Sequence, residues 1–183
     1  MVWFWTFLLY SFLGFLLETG YACWVGGDPD RKCLLLLPLC PVYGLGMCAV
    51  LLLPAPVLRS PVLLAAAGGL TAACVEYAAA LTYERLLGVS FWDYRGRWGN
   101  LHGRVCLPFT LAWGILVLPA VYLIQPAAEG WFAALPLPVT ISAALAAGAD
   151  LAVSAALLRR TGDVNCLRWY RSGAAKLPPN GTG

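Results

Sequence analysis

Charged residues are scarce in this sequence: they make up 11% of its 183 residues, against about 25% in an average soluble domain. Mean hydropathy is +0.75, and 61% of the residues are hydrophobic. A water-soluble globule of this composition would leave too much apolar surface in water. The composition therefore excludes a soluble enzyme or a nucleic-acid-binding domain, and it indicates a protein whose partner is the lipid bilayer.

Histidine occurs once, as His102, and the seven cysteines follow no metal-binding spacing such as C-x-x-C. Zinc sites use three or four His, Cys or carboxylate ligands, so we predict no metal and no cofactor. Most cysteines lie inside apolar runs, where a thiol behaves as a small hydrophobic group, and we predict no disulfide framework. The ATP-binding pattern G-x-x-x-x-G-K-S/T is also missing, so an ATPase that drives this protein is a separate chain.

Five apolar runs are present, and an α-helix of roughly 20 apolar residues is long enough to cross a bilayer. They extend over about 2–25, 33–58, 61–87, 105–124 and 131–158. We predict an all-α membrane protein with about five transmembrane helices over residues 1–160 and a basic, partly disordered cytoplasmic tail over 161–183. Two prolines and two glycines between residues 38 and 46 predict that the second helix is broken, with protein or water satisfying the freed backbone groups.

Basic residues are distributed unevenly. With five spans, eleven of the twelve Lys and Arg residues fall on one side of the membrane, and Arg59 is the exception. Cytoplasmic loops carry the excess of Lys and Arg, so we predict that the N-terminus is outside and the C-terminus is cytoplasmic. The polar stretch over about 86–99, rich in Trp and Arg, is expected to lie at the cytoplasmic interface between the third and fourth helices.

Polar side chains recur within the apolar runs. Counting 1.5 Å per residue, five segments bring such a group to a similar depth in the cytoplasmic half: Glu18, Tyr43, Glu76, Arg104 and Asp150. Ionisable groups are costly in hydrocarbon, so they usually face a bundle interior and mark a pathway or a site. The alternative is that Glu18 and Glu76 pair with Arg104 or a backbone donor and only hold the helices together.

The remaining acids are expected nearer the surface. We expect Glu84 and Asp93 to form interfacial ion pairs with Arg85, Arg95 or Arg97. Asp150 is expected to lie shallow enough to be hydrated.

An internal repeat is a further prediction. The first helix carries Glu18, and the second then opens with Cys40, a proline and an aromatic residue. The third helix carries Glu76, and the fourth opens in the same manner from Cys106. Both pairs enter from the same side, so the pattern predicts a parallel two-helix repeat with the two glutamates facing one central space.

Longer motifs resemble those of one bacterial family. Its members carry Tyr-Ser-Phe-Leu-Gly followed by Glu, Pro-Leu-Cys-Pro-hydrophobe-Tyr-Gly, Glu-Tyr, Trp-Asp-Tyr, Asn-Leu-Asn-Gly-Arg-hydrophobe-Cys-Leu and Trp-Gly. The corresponding motifs here begin at Tyr10, Pro38, Glu76, Trp92, Asn100 and Trp113. Over nearly all of the membrane region the chain resembles the family described as putative ABC-transporter type IV, or CmpB-like permeases. It departs from the pattern at His102, where the family has Asn.

This resemblance implies a permease subunit in the bacterial cytoplasmic membrane, where a separate ATPase subunit would dock on the 86–99 stretch. We predict a site that opens to the cytoplasm and takes up a cation, protons or a small charged solute. It comprises Glu18, Tyr43, Glu76, Asn100, His102 and Arg104. In this site Arg104 would balance one carboxylate or engage an anionic group, Asn100 would orient a ligand or cap the fourth helix, and His102 would carry a proton or donate a hydrogen bond.

A narrow conduit of five short helices also predicts a homo-oligomer. No residue is assigned a catalytic role, because one histidine without a paired catalytic set favours cation or proton handling over hydrolysis. Two alternatives remain open. One is a membrane-embedded enzyme or lipid-headgroup binder that uses His102, Glu76 and Arg104. The other is a non-transporting assembly partner whose polar cluster only fixes helix packing.

Overall fold

The computed structural model describes residues 1–25 and 33–167. Within them the regular structure is helical, apart from one isolated β-bridge between Leu101 and Val105. The helices are α1 (Val2–Trp24), α2 (Pro41–Leu51), α3 (Ala55–Arg59), α4 (Pro61–Thr82), α5 (Leu107–Pro119), α6 (Gln125–Ala134) and α7 (Leu137–Thr161). A π-helical turn, Tyr83–Leu87, extends α4, a second, Ala120–Ile124, joins α5 to α6, and a 3-10 turn, Val164–Leu167, follows α7.

Four helical segments of the described residues are long and apolar enough to cross a membrane. They are Val2–Trp24, Pro61–Leu87, Leu107–Ala134 and Leu137–Thr161. The apolar helix α2 is the fifth segment and is shorter. The predicted fold class, an all-α membrane protein with about five helices, is confirmed.

Proline and glycine mark the helix boundaries. Each helix from α2 to α7 has a proline in its first two positions, where the missing N–H would have no intrahelical acceptor. The π-helical turn after α4 ends at Gly88 and α7 ends at Gly162, both with positive φ. Glycine adopts this left-handed conformation without steric cost.

Contacts with α1 establish the direction of the other helices. Near the start of α1, Trp5 Nε1 donates to Thr140 Oγ1 on α7 at 3.0 Å. Near its end, Tyr21 packs edge-on against Phe109 on α5, with ring centroids 5.9 Å apart. Therefore α7 runs parallel to α1, and α5 runs antiparallel to it. We call residues 88–106 the connection, and the end of the bundle where they lie the connection end.

The helical part of the second apolar run covers only about half of the bundle's length. The backbone N–H of Cys40 donates to the carbonyl of Ser11 at 2.8 Å, and Ser11 lies midway along α1. The preceding residues, 33–40, are not helical, and we call them the re-entrant segment. The chain therefore returns to the middle of the bundle in an irregular conformation before α2 begins.

Asp150 on α7 satisfies the backbone of the re-entrant segment. Its carboxylate accepts the N–H groups of Leu36 at 3.0 Å and Leu37 at 2.8 Å, and the hydroxyl of Ser154 at 2.9 Å. The broken run was predicted to have its backbone groups satisfied by protein or by water, and for Leu36 and Leu37 the acceptor is protein. The prediction that Asp150 is hydrated was wrong: its exposed fraction is 9%, because hydrogen bonds to backbone donors replace its contacts with water.

A disulfide closes the re-entrant segment. It joins Cys33 to Cys40, whose Cα atoms lie 5.0 Å apart. The expectation that the cysteines are free apolar side chains was wrong for this pair, because the irregular conformation of the segment brings its two ends together.

The chain packs as two antiparallel helix pairs, α1 with α2 and α4 with α5, and α2 contacts α4 between them. Glycines lie where the backbones approach: an added Cβ would come 2.4 Å from the Phe7 carbonyl oxygen at Gly44, and 2.5 Å from the Ala65 carbonyl oxygen at Gly114. Small residues at helix contacts are typical of membrane bundles. In both pairs the second helix begins directly after a cysteine, as the repeat hypothesis requires.

Buried apolar side chains form two clusters. One, at the connection end, comprises Leu34, Leu35, Ala79, Tyr83, Val89, Leu158 and Leu167. The other joins α1, α2, α4 and the α5–α6 span through Tyr10, Met47, Val50, Leu64, Val117 and Ala120. Members of both clusters line the cavity described below.

Two predicted segments fall largely outside the described residues. The predicted tail, 161–183, is described only as far as residue 167, and its basic residues lie further on. The polar residues between the first two apolar runs, 26–32, also lie outside the described residues. The nature of the tail stays a prediction.

Candidate functional site

A cavity of about 230 Å³ lies between α1, α2, α4 and α5 and extends to the re-entrant segment and the connection. Most of its lining is aliphatic or aromatic. The aromatic residues are Tyr10, Tyr43, Tyr83, Phe91, Trp92, Tyr94 and Trp113. Glu18 from α1 and Glu76 from α4 also line it. Two helices of the bundle thus bring carboxyl groups to one largely apolar space.

Glu18 is held by Tyr43, whose hydroxyl donates to Glu18 Oε1. Gly14, one turn before Glu18 on α1, makes room for the tyrosine ring. A Cβ at that position would lie 2.2 Å from Tyr43 Cγ. The close approach of α1 and α2 therefore seats Tyr43 against the carboxylate.

Glu76 is buried, with an exposed fraction of 7%, and it receives two neutral donors. The hydroxyl of Tyr94, in the connection, donates to Oε1 at 2.8 Å, and Trp113 Nε1, on α5, donates to Oε2 at 3.1 Å. Each of these donors belongs to a different part of the chain. Glu76 therefore ties α4 to both the connection and α5.

Aromatic contacts join the two glutamate clusters. Tyr43 meets Trp113 edge-on, with ring centroids 5.3 Å apart and an interplanar angle of 90°. Tyr94 stacks on Phe109 at 5.1 Å. Tyr94 and Trp113 are not among the site residues that the sequence predicts. Both lie in motifs that carry the family resemblance, Trp92-Asp-Tyr94 and Trp113-Gly114, and this was the signal available in the sequence.

Arg104 pairs with Glu84 at the connection end. Its Nε lies 3.0 Å and its Nη2 2.5 Å from Glu84 Oε2. Its Nη1 donates to the Tyr77 hydroxyl at 3.2 Å, and its guanidinium lies 5.2 Å from the centroid of that ring. The hydrogen bond to Glu84 raises the pKa of Arg104 above its ordinary value, so the guanidinium stays protonated at physiological pH.

This contact bears on two expectations about ion pairs. Arg104 was expected to balance one carboxylate of the site or to engage an anionic group, and the carboxylate that it pairs with is Glu84. Glu84 was expected to pair with a neighbouring arginine. The other interfacial prediction is confirmed: Asp93 Oδ2 lies 3.1 Å from Arg95 Nε.

Asn100 and His102 stabilise the connection itself. Asn100 Nδ2 donates to the Arg97 carbonyl at 2.9 Å, and its Oδ1 accepts the backbone N–H of Gly103 at 3.3 Å. His102 Nδ1 lies 3.0 Å from the Tyr77 hydroxyl. The residue that precedes α5 as its N-cap is Cys106, so the suggestion that Asn100 caps this helix was wrong.

The six predicted site residues therefore separate into two groups. Glu18, Tyr43 and Glu76 line the cavity. The other three, Asn100, His102 and Arg104, belong to the connection, and their hydrogen bonds hold its turns and its contact with α4.

The backbone geometry at position 102 suits Asn, the residue that the family resemblance predicts there. His102 has a φ of 54°, and Asn is among the residues that enter the left-handed region most readily. We expect His102→Asn to leave the melting temperature close to that of the wild type. We expect His102→Val to lower stability by about 1–2 kcal/mol, because a left-handed conformation brings Cβ against the next carbonyl. Thermal unfolding in detergent measures both, and equal melting temperatures would contradict the assignment.

Comparison with known proteins bears on the same residues. A family model described as Putative ABC-transporter type IV matches residues 5–155. That range contains every residue that lines the cavity. No curated protein and no solved structure gives a significant match.

Proposed function

The chain belongs to the family described as Putative ABC-transporter type IV, and on this premise we propose that its cavity is the substrate site of a multi-pass membrane transport protein. The site takes up a cation, protons or a small charged solute. Glu18, Tyr43 and Glu76 are its polar members, and Tyr94 and Trp113 complete it.

One observation carries this proposal: two carboxyl groups from different spans line the same apolar cavity. An ionisable group at this depth is costly, and in membrane proteins such groups commonly mark a pathway for ions or substrates. Glu18 and Glu76 receive hydrogen bonds from aromatic side chains. Such donors hold the carboxyl groups in place without adding formal charge, as a site for cationic or protonated species requires.

The membrane orientation is part of the proposal. The connection end carries Arg95, Arg104 and Arg159, with Arg159 donating to the Leu86 carbonyl at 3.0 Å, while Arg59 lies after α2 toward the opposite end. By the excess of positive charge in cytoplasmic loops, the connection end faces the cytoplasm of a bacterial cell. The N-terminus is then outside.

A partner ATPase is what the family description points to. The connection is the proposed docking surface, because Arg95, Arg97 and Trp98 are exposed there, and a homo-oligomer is the proposed assembly. Copurification of an ATPase with the full chain tests this partnership. Loss of that ATPase when Arg97 and Trp98 are replaced by alanine is expected, and unchanged recovery would contradict the docking surface.

Flux measurements in proteoliposomes test the site. We expect Glu18→Gln and Glu76→Gln each to reduce cation or proton flux by roughly tenfold or more. The substitution replaces the carboxyl group with a neutral amide, and a hydrogen bond between a ligand and a charged group contributes about 1.5–3 kcal/mol. Glu129→Gln is the matched control, because Glu129 is an exposed carboxylate on α6. Its flux should equal that of the wild type.

Melting temperatures of the same proteins separate function from packing. Reduced flux at an unchanged melting temperature supports a substrate site. Wild-type flux with a lower melting temperature in the Glu18 and Glu76 variants would mean that the two carboxyl groups serve only helix packing.

A further inference from the structure

Three polar donors that line the cavity are committed to the two carboxyl groups, and two more, the Tyr10 hydroxyl and the Trp92 N–H, donate to backbone carbonyls. The Tyr43 hydroxyl donates to Glu18, and the Tyr94 hydroxyl and the Trp113 N–H donate to Glu76. An anionic ligand would have to take these donors away from the glutamates. A ligand that needs no donors, and that meets carboxylate oxygens and aromatic rings, leaves the observed hydrogen bonds in place.

The shape and chemistry of the lining limit the ligand further. At about 230 Å³, the cavity is smaller than the roughly 300–1,000 Å³ of typical drug-sized sites. Its walls are largely aliphatic and aromatic, for example Leu13, Met47 and Val117. A hydrated inorganic ion would lose water without gaining enough polar partners on such a surface. An apolar body with a single charge is the better match.

Aromatic rings beside the carboxyl groups suit a cation in particular. Tyr43 and Trp113 meet at 5.3 Å next to both glutamates, and Tyr94 lies against Phe109. A cation over an aromatic face is attracted by the negative charge of the π-system, and quaternary ammonium groups are commonly recognised this way. The two glutamates nearby add a longer-range electrostatic attraction for the same cation.

We infer that the ligand of this cavity is a small organic cation, a tertiary or quaternary ammonium with an apolar body. This inference rests on the proposed function, because it names the substrate class of the same site. The apolar part occupies the space between α1, α2 and α5, and the charged head lies between the two glutamates and the rings of Tyr43 and Trp113.

Isothermal titration of the purified full chain in nanodiscs tests the inference with three probes. Two share an aromatic ring and carry opposite charges, and the third is an inorganic cation. Phenyltrimethylammonium is expected to give saturable binding. Benzenesulfonate, an anion with the same ring, and Rb⁺, a cation without an apolar body, are expected to give none. Saturable binding of benzenesulfonate, or binding of Rb⁺ in place of the organic cation, would overturn the inference.

Variants then locate the binding. Glu18→Gln and Trp113→Leu are each expected to weaken binding of phenyltrimethylammonium by about tenfold. Trp113→Phe, which keeps an aromatic face, should retain most of the affinity, and Glu129→Gln should retain all of it. Affinity that is unchanged in Glu18→Gln and Trp113→Leu would place the cation elsewhere and overturn the inference. The comparison of probes on the wild type decides the matter if a variant fails to fold.

This experiment and the flux measurement can fail separately. Flux that depends on Glu18 and Glu76, without saturable binding of phenyltrimethylammonium, leaves transport standing and removes the organic cation. Binding that depends on Glu18 and Trp113, without flux, leaves the ligand class standing and removes transport.

Discussion

Gly44→Ala is expected to lower the melting temperature of the protein much more than Gly46→Ala does, although the two glycines lie on the same helix. A Cβ at Gly44 would lie 2.4 Å from both the Phe7 carbonyl oxygen and Ser11 Oγ, whereas a Cβ at Gly46 meets nothing within 4 Å. Overpacking a well-packed contact costs about 1–3 kcal/mol, and the Phe7 carbonyl is backbone, which cannot rotate away. We expect the loss at Gly44 to lie at the upper end of that range or above it.

Gly46→Ala is the matched control. It adds the same methyl group to the same helix, and alanine is favoured over glycine in a helix interior by roughly 0.8–1 kcal/mol. Its melting temperature should equal or exceed that of the wild type. Thermal unfolding in detergent, followed by tryptophan fluorescence, measures both variants. Similar shifts for the two would mean that α1 and α2 do not meet backbone to backbone at Gly44.

The same contact controls the geometry of the cavity. Phe7, Ser11, Gly14 and Glu18 lie on one face of α1, at intervals of three or four residues, and α2 packs against this face. Moving α2 outward at Gly44 would also move the Tyr43 hydroxyl away from Glu18 and weaken the hydrogen bond between them. Any Gly44→Ala protein that remains folded should therefore bind phenyltrimethylammonium, the probe of the proposed site, more weakly than the wild type.

Much of the fold could be predicted from apolar run length. The runs that became α1 and α4 have the length of a spanning helix, so composition alone indicated them. The boundary between the last two runs was wrong: the fourth span continues through the predicted gap to Ala134, and α7 begins only at Leu137, after Pro136. The second run could be recognised as broken from its prolines and glycines. Its conformation could not be predicted, because the re-entrant segment is as apolar as a helix would be, and the group that satisfies its backbone lies more than a hundred residues away, at Asp150.

The candidate site was predicted in part, and the missing part has a geometric reason. Counting residues along a helix gives the depth of a side chain but not the direction in which it points. Glu18 and Glu76 were expected to face one space, and both line the cavity. The pairing of Arg104 with Glu84 was not foreseen, because Glu84 lies in a π-helical turn, where the direction of each side chain departs from that in an α-helix.

Family motifs carried information that depth counting lacked. Neither Tyr94 nor Trp113 belongs to the acidic or basic residue types that a charge count includes. Their importance arises from the hydrogen bonds to Glu76. Neutral donors of this kind leave no mark in charge patterns, so only a motif or a structure can identify them.

Asp150→Ala is the second change for which we expect a large effect. The variant would leave the N–H groups of Leu36 and Leu37 without their acceptor. Asp150 is buried, so water does not easily take the place of its carboxylate. An unsatisfied buried backbone donor costs about 1–3 kcal/mol, so the two together predict a loss of roughly 2–6 kcal/mol. Because the re-entrant segment lines the cavity through Cys33, Leu34 and Cys40, binding of phenyltrimethylammonium at the proposed site should weaken in any protein that still folds.

Ser154→Ala and Asp150→Asn define the scale for this prediction. Ser154→Ala removes one hydrogen bond to the same carboxylate and leaves both backbone groups satisfied, so it should cost much less. Asp150→Asn keeps one acceptor oxygen and turns the other into a donor, so its stability should fall between those of the other two.

Hydrogen exchange at the amides of Leu36 and Leu37 reports on the contact directly, and exchange should accelerate in Asp150→Ala alone or most strongly there. If Asp150→Ala and Ser154→Ala have the same melting temperature and both amides stay protected, another group satisfies the backbone of the re-entrant segment. Asp150 would then not be the residue that allows an irregular chain to enter the membrane region.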